Sequence, residues 1–242
     1  MFAALPWYEL PETRSALLAF WRGWTRHAGL ERIPLQLQAP LYEPLHRPDL
    51  LLTQTCGLVA GQPEFPAAVV ASPVFQSAGC EGACYRSVLL SRQGLSSLDE
   101  GLRACINDPL SHSGCTALRE LAPSTRQTRV TGSHERSVQL LATGEADLAA
   151  VDGTTWALLQ RHRPGLCRGL VEHAWSQPAP APPWVSRPEH LERLRAALRA
   201  WLADPDSLPI CEQLHLKGAE VLPEEAYTNL YERSLTSTIS PS

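Results

Sequence analysis

The sequence predicts an α/β protein with two lobes, in which mainly parallel sheets carry flanking helices and two chain crossings form a hinge. Short apolar runs at residues 50–52 and 67–71 have the composition of strands buried on both faces, as parallel sheets require. These runs alternate along the 242 residues with segments of helical periodicity, which is typical of α/β proteins. The proline-rich segment 177–183 cannot form a helix and predicts an extended return of the chain.

Two amphipathic helices are predicted near the ends of the chain. The first covers residues 11–28, and Gly29 is suited to end it in a left-handed conformation. The second follows Ser186 and Glu189, which have the spacing of a capping box. Their apolar faces consist of Leu17, Phe20, Trp21, Trp24 and Ala28 in the first and Leu191, Leu194, Leu198 and Trp201 in the second.

The middle of the chain alternates regularly between predicted strands and helices. After a strand at 85–91, Ser97 and Glu100 match a capping box and predict a short helix. The further predicted elements of this region are strands at 103–107, 129–131 and 147–151 and helices at 113–121 and 135–143.

Two breaks in the alternation predict how the lobes are divided. Residues 72–79 have no clear period, and residues 177–183 are rich in proline. We therefore expect an outer lobe of residues 1–79 and 178–242 and an inserted lobe of residues 80–177, with a hinge at the two crossings.

Composition argues against several classes of function. A formal net charge of -4 without a basic stripe does not suit a nucleic-acid-binding protein. No apolar run reaches the roughly 20 residues that a membrane span needs. Residues 1–6 lack the features of a signal peptide, so the sequence as written predicts a cytoplasmic protein, or a periplasmic one if a signal has been removed. The odd number of cysteines, seven, favours a reducing compartment.

The spacing of Cys80 and Cys84 is not that of a thioredoxin-type pair, and no second pair with zinc-site spacing is present. We therefore predict no metal site and no cofactor.

The segment from Ser111 to Gly114 is the strongest functional signal. It follows a predicted strand and an Asp-Pro turn, and it opens a predicted helix. Hydroxyls together with the free N–H groups of a first helical turn form a site for an oxyanion such as phosphate. The alternative is that Ser111 or Ser113 only caps the helix.

Three more polar segments follow predicted strands or open helices, where ligands bind in open α/β sheets. We expect all four to converge on one cleft. The three are residues 53–57, residues 79–87 and the pair 131–137 with 151–154.

Several side chains in these segments have two interpretations. His134 is a hydrogen-bonding residue or a general base, with Ser111 or Cys80 as nucleophile. Asp152 is a helix N-cap or an acceptor for a ligand amine or hydroxyl. Tyr8, near the end of a possible first strand, is a core residue or a hydroxyl donor in the cleft.

Four motifs together resemble the phosphate, phosphite and phosphonate substrate-binding proteins of ABC transporters. The motifs are residues 51–57, 107–114, 132–138 and 144–152. The resemblance implies a type II periplasmic-binding-protein fold whose two lobes close on the ligand, and no catalytic residue.

By motif match, the resemblance assigns the oxyanion to Ser111, Ser113, His134 and the backbone of His112. It also implies that tyrosines and the first polar loop complete the cleft, and that an acidic residue receives a ligand amine. Those further ligand-binding residues are Tyr8, Gln54, Thr55, Tyr85 and Asp152.

We therefore expect a monomeric binding protein for a small phosphorus oxyanion or organophosphonate, either a transport receptor with an ABC permease as partner or a soluble sensor. The sequence does not separate phosphate, phosphite, a sulfur oxyanion and an aminoalkyl phosphonate. One alternative is an enzyme on the same scaffold that acts on a small metabolite, with His134, Asp152 and the Cys80/Cys84 pair as candidates. Another is a regulatory interaction domain.

Overall fold

The computed structural model describes residues 1–93, 95, 101–125 and 127–236 of the chain. These residues divide into two compact units. The first unit contains Met1–Gln76, Glu81–Ala83 and Pro180–Thr228, and the second contains Ser77–Cys80, Cys84–Ala179 and the chain from Asn229 onward.

The C-terminal end departs from the predicted division, which gave residues 178–242 to the outer lobe. From Asn229 the chain belongs to the second unit. One reason is that the Arg233 Nε lies 3.8 Å from a carboxylate oxygen of Glu120, which is itself a residue of the second unit.

The strands lie at β1 Phe2–Ala4, β2 Leu35–Gln36, β3 Leu50–Gln54, β4 Ala68–Phe75, β5 Cys84–Tyr85, β6 Ser87–Arg92, β7 Arg103–Ile106, β8 Gln127–Val130, β9 Leu148–Asp152, β10 Leu170–Trp175, β11 Ala179–Pro180, β12 Trp184–Ser186 and β13 Leu216–Glu220. The α-helices lie at α1 Arg14–Ala28, α2 Gly57–Ala60, α3 Ala117–Leu121, α4 His134–Thr143, α5 Gly153–His162, α6 Pro164–Cys167, α7 Leu191–Ala203, α8 Leu208–Gln213 and α9 Glu224–Thr236. Short 3-10 turns occupy Glu43–His46, Pro188–His190 and Pro205–Ser207, and a π-helical turn occupies His112–Thr116.

The sheet of the first unit has the strand order β13-β4-β12-β3-β1-β2. Strand β1 is parallel to β2 and β3, whereas β12 is antiparallel to β3 and β4. The sheet of the second unit has the order β10-β6-β9-β7-β8, with β7 parallel to its neighbours and β6 antiparallel to β9 and β10.

The α/β fold is therefore confirmed, but the prediction of mainly parallel sheets is wrong. The prediction rested on apolar runs such as β3, whose residues are all buried. Such a run shows that a strand is covered on both faces and does not encode the direction of its neighbours. The sheet of each unit therefore contains both parallel and antiparallel strand pairs.

Indole and phenyl rings fill the core of the first unit. The rings of Phe20 and Trp184 stack with centroids 5.7 Å apart, and Trp24 meets Trp184 edge-on at 5.3 Å. A Cβ atom on Gly23 would lie 2.4 Å from the ring of Trp201, so only glycine lets α1 and α7 pack at this distance. The predicted helix face of Leu17, Phe20, Trp21, Trp24 and Ala28 is buried, and Gly29 ends the helix at φ 62.

Other expectations have mixed outcomes. The Ser97–Glu100 capping box lies outside the described residues. Ser186 does not cap a helix, because its hydroxyl donates to the Leu51 carbonyl at 2.6 Å. The described part of the chain contains no helix with the length and apolarity that a membrane crossing requires.

Candidate functional site

A tight turn places Ser111 at the start of a helical segment in the second unit. Strand β7 ends at Ile106, and the Leu110 N–H donates to Asp108 Oδ1 at 2.8 Å. The Ser111 N–H donates to the Asp108 carbonyl at 3.1 Å. This is the Asp-Pro turn that the sequence predicts, and its side-chain hydrogen bond fixes where the next helix begins.

The segment after the turn is a π-helical turn rather than the α-helix predicted from residue 113. The Thr116 N–H reaches back to the Ser111 carbonyl at 3.2 Å, and the Ala117 N–H donates to the His112 carbonyl. π-Helical turns widen a helix and are frequent at functional sites. No periodicity in the sequence indicated this turn.

Two serines and a histidine form a continuous line of polar contacts, which we call the serine–histidine chain. The Ser111 and Ser113 Oγ atoms lie 3.1 Å apart, and Ser113 Oγ lies 2.7 Å from His134 Nε2. Ser111 Oγ also accepts the Gly114 N–H at 3.1 Å. Both serines are buried, at 1% and 3% exposed. Ser111 is thus an N-cap, as one interpretation held, and it also belongs to a larger polar network.

Strand β8 and helix α4 position His134. The helix begins at this residue, and the Ser133 hydroxyl caps it by accepting the Arg136 N–H at 3.1 Å. His134 Nδ1 is buried and has no hydrogen-bond partner among the described residues. Burial lowers the pKa of His134 to about 3, so the ring is neutral at physiological pH.

His112 is buried, with 1% of its surface exposed. Its ring meets the ring of Tyr85 edge-on, with centroids 6.3 Å apart. Burial, with a smaller contribution from the nearby Arg233 cation, lowers the pKa of His112 to about 4. The His112 side chain is therefore a neutral core group, which is consistent with the expectation that its backbone, not its ring, meets the ligand.

Gly114 is required by a close approach to Asn107. A Cβ atom at position 114 would lie 1.8 Å from Asn107 Oδ1 and 3.2 Å from Asn107 N. Asn107 Oδ1 is buried and has no hydrogen-bond partner within the described ranges. Sequence reasoning missed Asn107 as part of this site, although its place at the end of a predicted strand was a signal.

Asp152 acts as the N-cap of α5. Its Oδ1 accepts the Thr155 N–H at 2.8 Å, and the residue is 3% exposed. The nearby Cys80 Sγ lies 3.6 Å from Thr154 Oγ1. Burial raises the pKa of the Cys80 thiol to about 11. A thiol with so high a pKa stays protonated and is a poor nucleophile.

The surroundings of His134 differ from those of the histidine in a catalytic triad. A catalytic histidine is normally oriented by a third group, often a carboxylate on the second ring nitrogen. His134 Nδ1 has no such partner in the described part of the chain.

The first unit contains Tyr8, Gln54 and Thr55. Gln54 Nε2 donates to the Pro182 carbonyl at 2.8 Å, and the residue is buried. The Thr55 Oγ1 is buried and lacks a hydrogen-bond partner among the residues described. Tyr8 does not end the first strand, because β1 ends at Ala4.

Tyr8 has a left-handed backbone with φ 58, and its ring meets the ring of Phe75 edge-on at 4.8 Å. Tyr8 and Gln54 line one cavity, which we call the aromatic pocket. Its wall also contains Trp7, Phe75 and Trp184. No local sequence pattern identifies Phe75 as a pocket residue, because the residues that line the pocket are dispersed along the chain.

The structure therefore brings Ser111, Ser113 and His134 into direct contact and pairs His112 with Tyr85. In the first unit, Tyr8 and Gln54 line the same pocket.

One family of known proteins matches the chain over most of its length. The model of a family described as "ABC transporter, phosphonate, periplasmic substrate-binding protein" matches residues 47–227. No curated protein matches the sequence.

Solved structures resemble the chain over nearly its whole length. A binding-protein component of an ABC phosphonate transporter from Pseudomonas aeruginosa has a TM-score of 0.79 at 15% identity, covering 98% of this chain and 86% of that one. PhnD1 from Prochlorococcus marinus, in complex with methylphosphonate, has a TM-score of 0.77 at 14% identity, covering 98% of each chain.

XAC2383 from Xanthomonas citri, bound to ATP, has a TM-score of 0.66 at 16% identity, with 98% of this chain and 99% of that one covered. These likenesses support the type II periplasmic-binding-protein fold. The family consists of transport-associated binding proteins rather than enzymes, as the sequence analysis expected. The family model covers most of the chain, and the protein belongs to the periplasmic substrate-binding proteins of phosphonate ABC transporters.

Proposed function

We propose that the chain binds a small phosphorus oxyanion, of the phosphonate or phosphate type, at the serine–histidine chain. The observation that carries this proposal is the unbroken line from Ser111 through Ser113 to His134, buried at the start of a helical segment. Hydroxyl groups in this position donate directly to anionic oxygens, and the first-turn N–H groups add further donors.

The charge of these groups supports an oxyanion held by neutral donors. Burial keeps the pKa of His134 at about 3 and that of His112 at about 4, so neither ring supplies a positive charge near pH 7. The serine hydroxyls are neutral as well. Hydrogen bonds to a charged ligand are about twice as strong as neutral ones, and a helix start favours negative charge.

A proton count refines the roles of the three side chains. When both serine hydroxyls donate to the ligand, neither can donate to His134 or to the other serine, so the 3.1 Å contact between the two Oγ atoms no longer carries a hydrogen bond. The 2.7 Å contact then requires the His134 Nε2–H to donate to Ser113 Oγ. We infer that the bound state contains this tautomer, with Nδ1 deprotonated.

The other predicted ligand-binding residues form part of the same proposal. We assign Tyr85 and the backbone of His112 to the oxyanion end of the ligand. The Tyr85 ring packs against the ring of His112, which lies between Ser111 and Ser113 in the sequence. Asp152 is assigned to the ligand by motif match alone, and its Oδ1 already caps a helix.

Tyr8, Gln54 and Thr55 are assigned by the same resemblance. The Thr55 hydroxyl supports this assignment, because it is buried and has no hydrogen-bond partner within the described chain.

In the cell, we propose that the protein is a monomeric receptor that acts in the periplasm and delivers its ligand to the permease of an ABC transporter. The family carries this part of the proposal. A chain with seven cysteines, all of them free here, would need to keep its buried thiols reduced in an oxidising compartment. Burial raises the pKa of five of these thiols, which slows their oxidation: to about 11 for Cys80, Cys105, Cys167 and Cys211, and above its ordinary value for Cys115.

Calorimetric titration of the purified chain with phosphate, phosphite, methylphosphonate and sulfate tests the proposal. We expect a saturable site for at least one phosphorus oxyanion. Ser113→Ala should weaken that binding about 10- to 100-fold, because a hydrogen bond to a charged group contributes about 1.5–3 kcal/mol.

Ser133→Ala is the matched control, since Ser133 caps α4 without joining the serine–histidine chain. It should leave the dissociation constant unchanged within about twofold. An absence of binding by every phosphorus oxyanion, or equal affinity in wild type and Ser113→Ala, would refute the proposal.

A further inference from the structure

A buried hydrogen-bond acceptor without a donor adjoins the serine–histidine chain. Asn107 is 5% exposed, and its Oδ1 has no hydrogen-bond partner among the described residues. This oxygen packs against Gly114, because a Cβ atom there would lie 1.8 Å from it. The Gly114 N–H donates to Ser111 Oγ at 3.1 Å and not to Asn107. Gly114 therefore contacts both the acceptor and the first member of the serine–histidine chain.

The backbone around Asn107 is held by the neighbouring strand. Asn107 directly follows β7, and its carbonyl accepts the Gly132 N–H at 2.9 Å. The Ile106 carbonyl accepts the N–H of Thr131 at 2.8 Å and its hydroxyl at 3.0 Å. The carboxamide of Asn107 is thus fixed at the carboxyl end of a strand with parallel neighbours, where ligands bind in α/β sheets.

An unpaired buried atom is not in itself the mark of a ligand, since Ser87 Oγ in the same unit is also buried and unpaired within the described ranges. Asn107 differs because it lies at the proposed oxyanion site and offers an acceptor there. The other side chains of that site act on the oxyanion as donors. An acceptor among donors is useful only to a ligand that carries a proton of its own.

The serine–histidine chain and its surroundings carry little net charge. Burial lowers the pKa of His134 to about 3 and that of His112 to about 4, so both rings are neutral near pH 7. Most charged side chains on the neighbouring elements have partners of opposite charge, in the pairs Arg103 with Asp147, Arg129 with Glu145, Arg163 with Glu135 and Arg233 with Glu120. Among the others, the carboxylates of Asp108 and Asp152 offset the guanidinium groups of Arg119 and Arg136.

A site with so little positive charge favours a singly charged ligand. The free-energy cost of moving an ion out of water rises with the square of its charge, so a dianion is far more costly to bury than a monoanion. The second pKa of a phosphoryl group lies near neutrality, at about 6 in a phosphate ester, so the monoanion is accessible. A monoanion retains one P–OH group, and a buried hydroxyl needs an acceptor.

We propose that the site binds its phosphorus oxyanion as the monoanion, with the ligand's P–OH group donating to Asn107 Oδ1. This inference rests on the proposed function and deepens it, because it names the charge state of the ligand and the residue that selects it. It also gives the site a basis for rejecting sulfate, which resembles the ligand in shape but has no proton to donate near neutral pH.

Calorimetry of the wild-type chain with methylphosphonate and with sulfate at pH 5.5, 7.0 and 8.5 tests this inference. His112 and His134 are neutral throughout this range, and burial keeps the thiols of Cys105 and Cys115 protonated. We expect methylphosphonate affinity to be nearly constant from pH 5.5 to 7.0 and to fall about 5- to 10-fold by pH 8.5, as the monoanion is depleted. Sulfate should bind at least about 10-fold more weakly than methylphosphonate at pH 5.5.

Asn107→Ala removes the acceptor and should reduce the preference for methylphosphonate over sulfate about 10-fold at pH 5.5. Ser113→Ala is the matched comparison, because the Ser113 hydroxyl can donate to either anion. It should weaken both by similar factors and leave the preference unchanged. The wild-type measurements need no variant, so a folding defect in Asn107→Ala does not prevent the test.

Methylphosphonate affinity that stays constant or rises up to pH 8.5 would overturn the inference. So would sulfate binding as tight as that of methylphosphonate at pH 5.5. In both cases a loss of methylphosphonate affinity in Ser113→Ala would show that the proposed oxyanion site still stands. If no phosphorus oxyanion binds at any of these pH values, the proposed function fails and this inference fails with it.

Discussion

The serine–histidine chain of the second unit and the aromatic pocket of the first unit are assembled from the sequence in different ways. Ser111 and Ser113 are two residues apart, and His134 follows one strand later. The wall of the aromatic pocket takes residues as distant as Trp7 and Leu216. Hydroxyl residues at a helix start form a local motif that can be recognised in the sequence. A pocket of dispersed aromatic rings can be recognised only once the fold is known.

The two regions also differ in how their polar groups are satisfied. In the serine–histidine chain each hydroxyl contacts another polar group, and Ser111 Oγ also accepts the Gly114 N–H. In the aromatic pocket the Gln54 amide donates to a carbonyl, but the Trp7 indole has no partner in the described chain. The first region is a connected polar network, whereas the second is lined mainly by apolar side chains.

The largest effect is expected from Gly114→Ala, which changes the segment that contains Ser111 and Ser113. The new Cβ would lie 1.8 Å from Asn107 Oδ1, so the helix start must shift or Asn107 must move. We expect a loss of about 1–3 kcal/mol in the free energy of unfolding from overpacking and a loss of about 100-fold in phosphonate affinity. Urea unfolding and calorimetry measure the two quantities.

Gly165→Ala is a control in the same unit, because a Cβ there meets nothing within 4 Å. The double variant Gly114→Ala/Asn107→Ala should recover part of the lost stability, since it removes the clashing carboxamide. Full affinity in Gly114→Ala would show that the geometry of this segment does not matter for binding.

The next largest effect is the loss of folding stability at acidic pH. The unfolded-state pKa of histidine is about 6.5, whereas burial lowers the folded-state pKa of His112 to about 4 and of His134 to about 3. Below pH 6.5 the unfolded chain therefore binds protons that the folded chain does not. Stability is fully present above this pH and is lost as the pH falls toward 4, by up to about 1.4 kcal/mol per pH unit for each histidine.

Urea unfolding between pH 7.5 and pH 4.5 measures this loss. His134→Asn should make the dependence on pH shallower, because one of the two titrating groups is gone. The wall of the aromatic pocket includes no histidine among the described residues, so Phe75→Leu should keep the wild-type slope. An unchanged slope in His134→Asn would contradict the assignment of a buried neutral ring to this residue.

A smaller effect separates two kinds of capping serine. Ser133 and Ser111 each accept a backbone N–H at 3.1 Å, but only Ser111 contacts a second hydroxyl. Ser133→Ala should cost about 1 kcal/mol of stability as an ordinary N-cap. Ser111→Ala should cost a similar amount and also weaken oxyanion binding at least about 10-fold. Equal oxyanion affinities in Ser111→Ala and Ser133→Ala would show that Ser111 acts only as an N-cap.

Much of the fold was predictable because burial and helix ends leave strong local patterns. The helix that ends at Gly29 and the buried strand at Leu50–Gln54 follow directly from apolar spacing. The directions of the strands did not follow, because a run buried on both faces looks the same in parallel and antiparallel neighbours. The π-helical turn at His112–Thr116 was not predictable either, because its residue types are the same as those that open an α-helix.

The candidate site was also only partly predictable from the sequence. Ser111, Ser113 and His134 were identified from hydroxyls and a histidine at helix starts, and the structure places them in contact. Asn107 was not predicted as a site residue, because its close approach to Gly114 leaves no local pattern in the sequence. The contribution of each predicted site residue to ligand binding stays a prediction.

The most direct test of the central claim is a crystal structure of the chain with methylphosphonate at a saturating concentration. The account predicts phosphonate oxygens within about 3.2 Å of Ser111 Oγ and Ser113 Oγ, with His134 Nε2 still in contact with Ser113. A phosphonate group bound elsewhere, with the serine–histidine chain unchanged and without contact to the ligand, would contradict it.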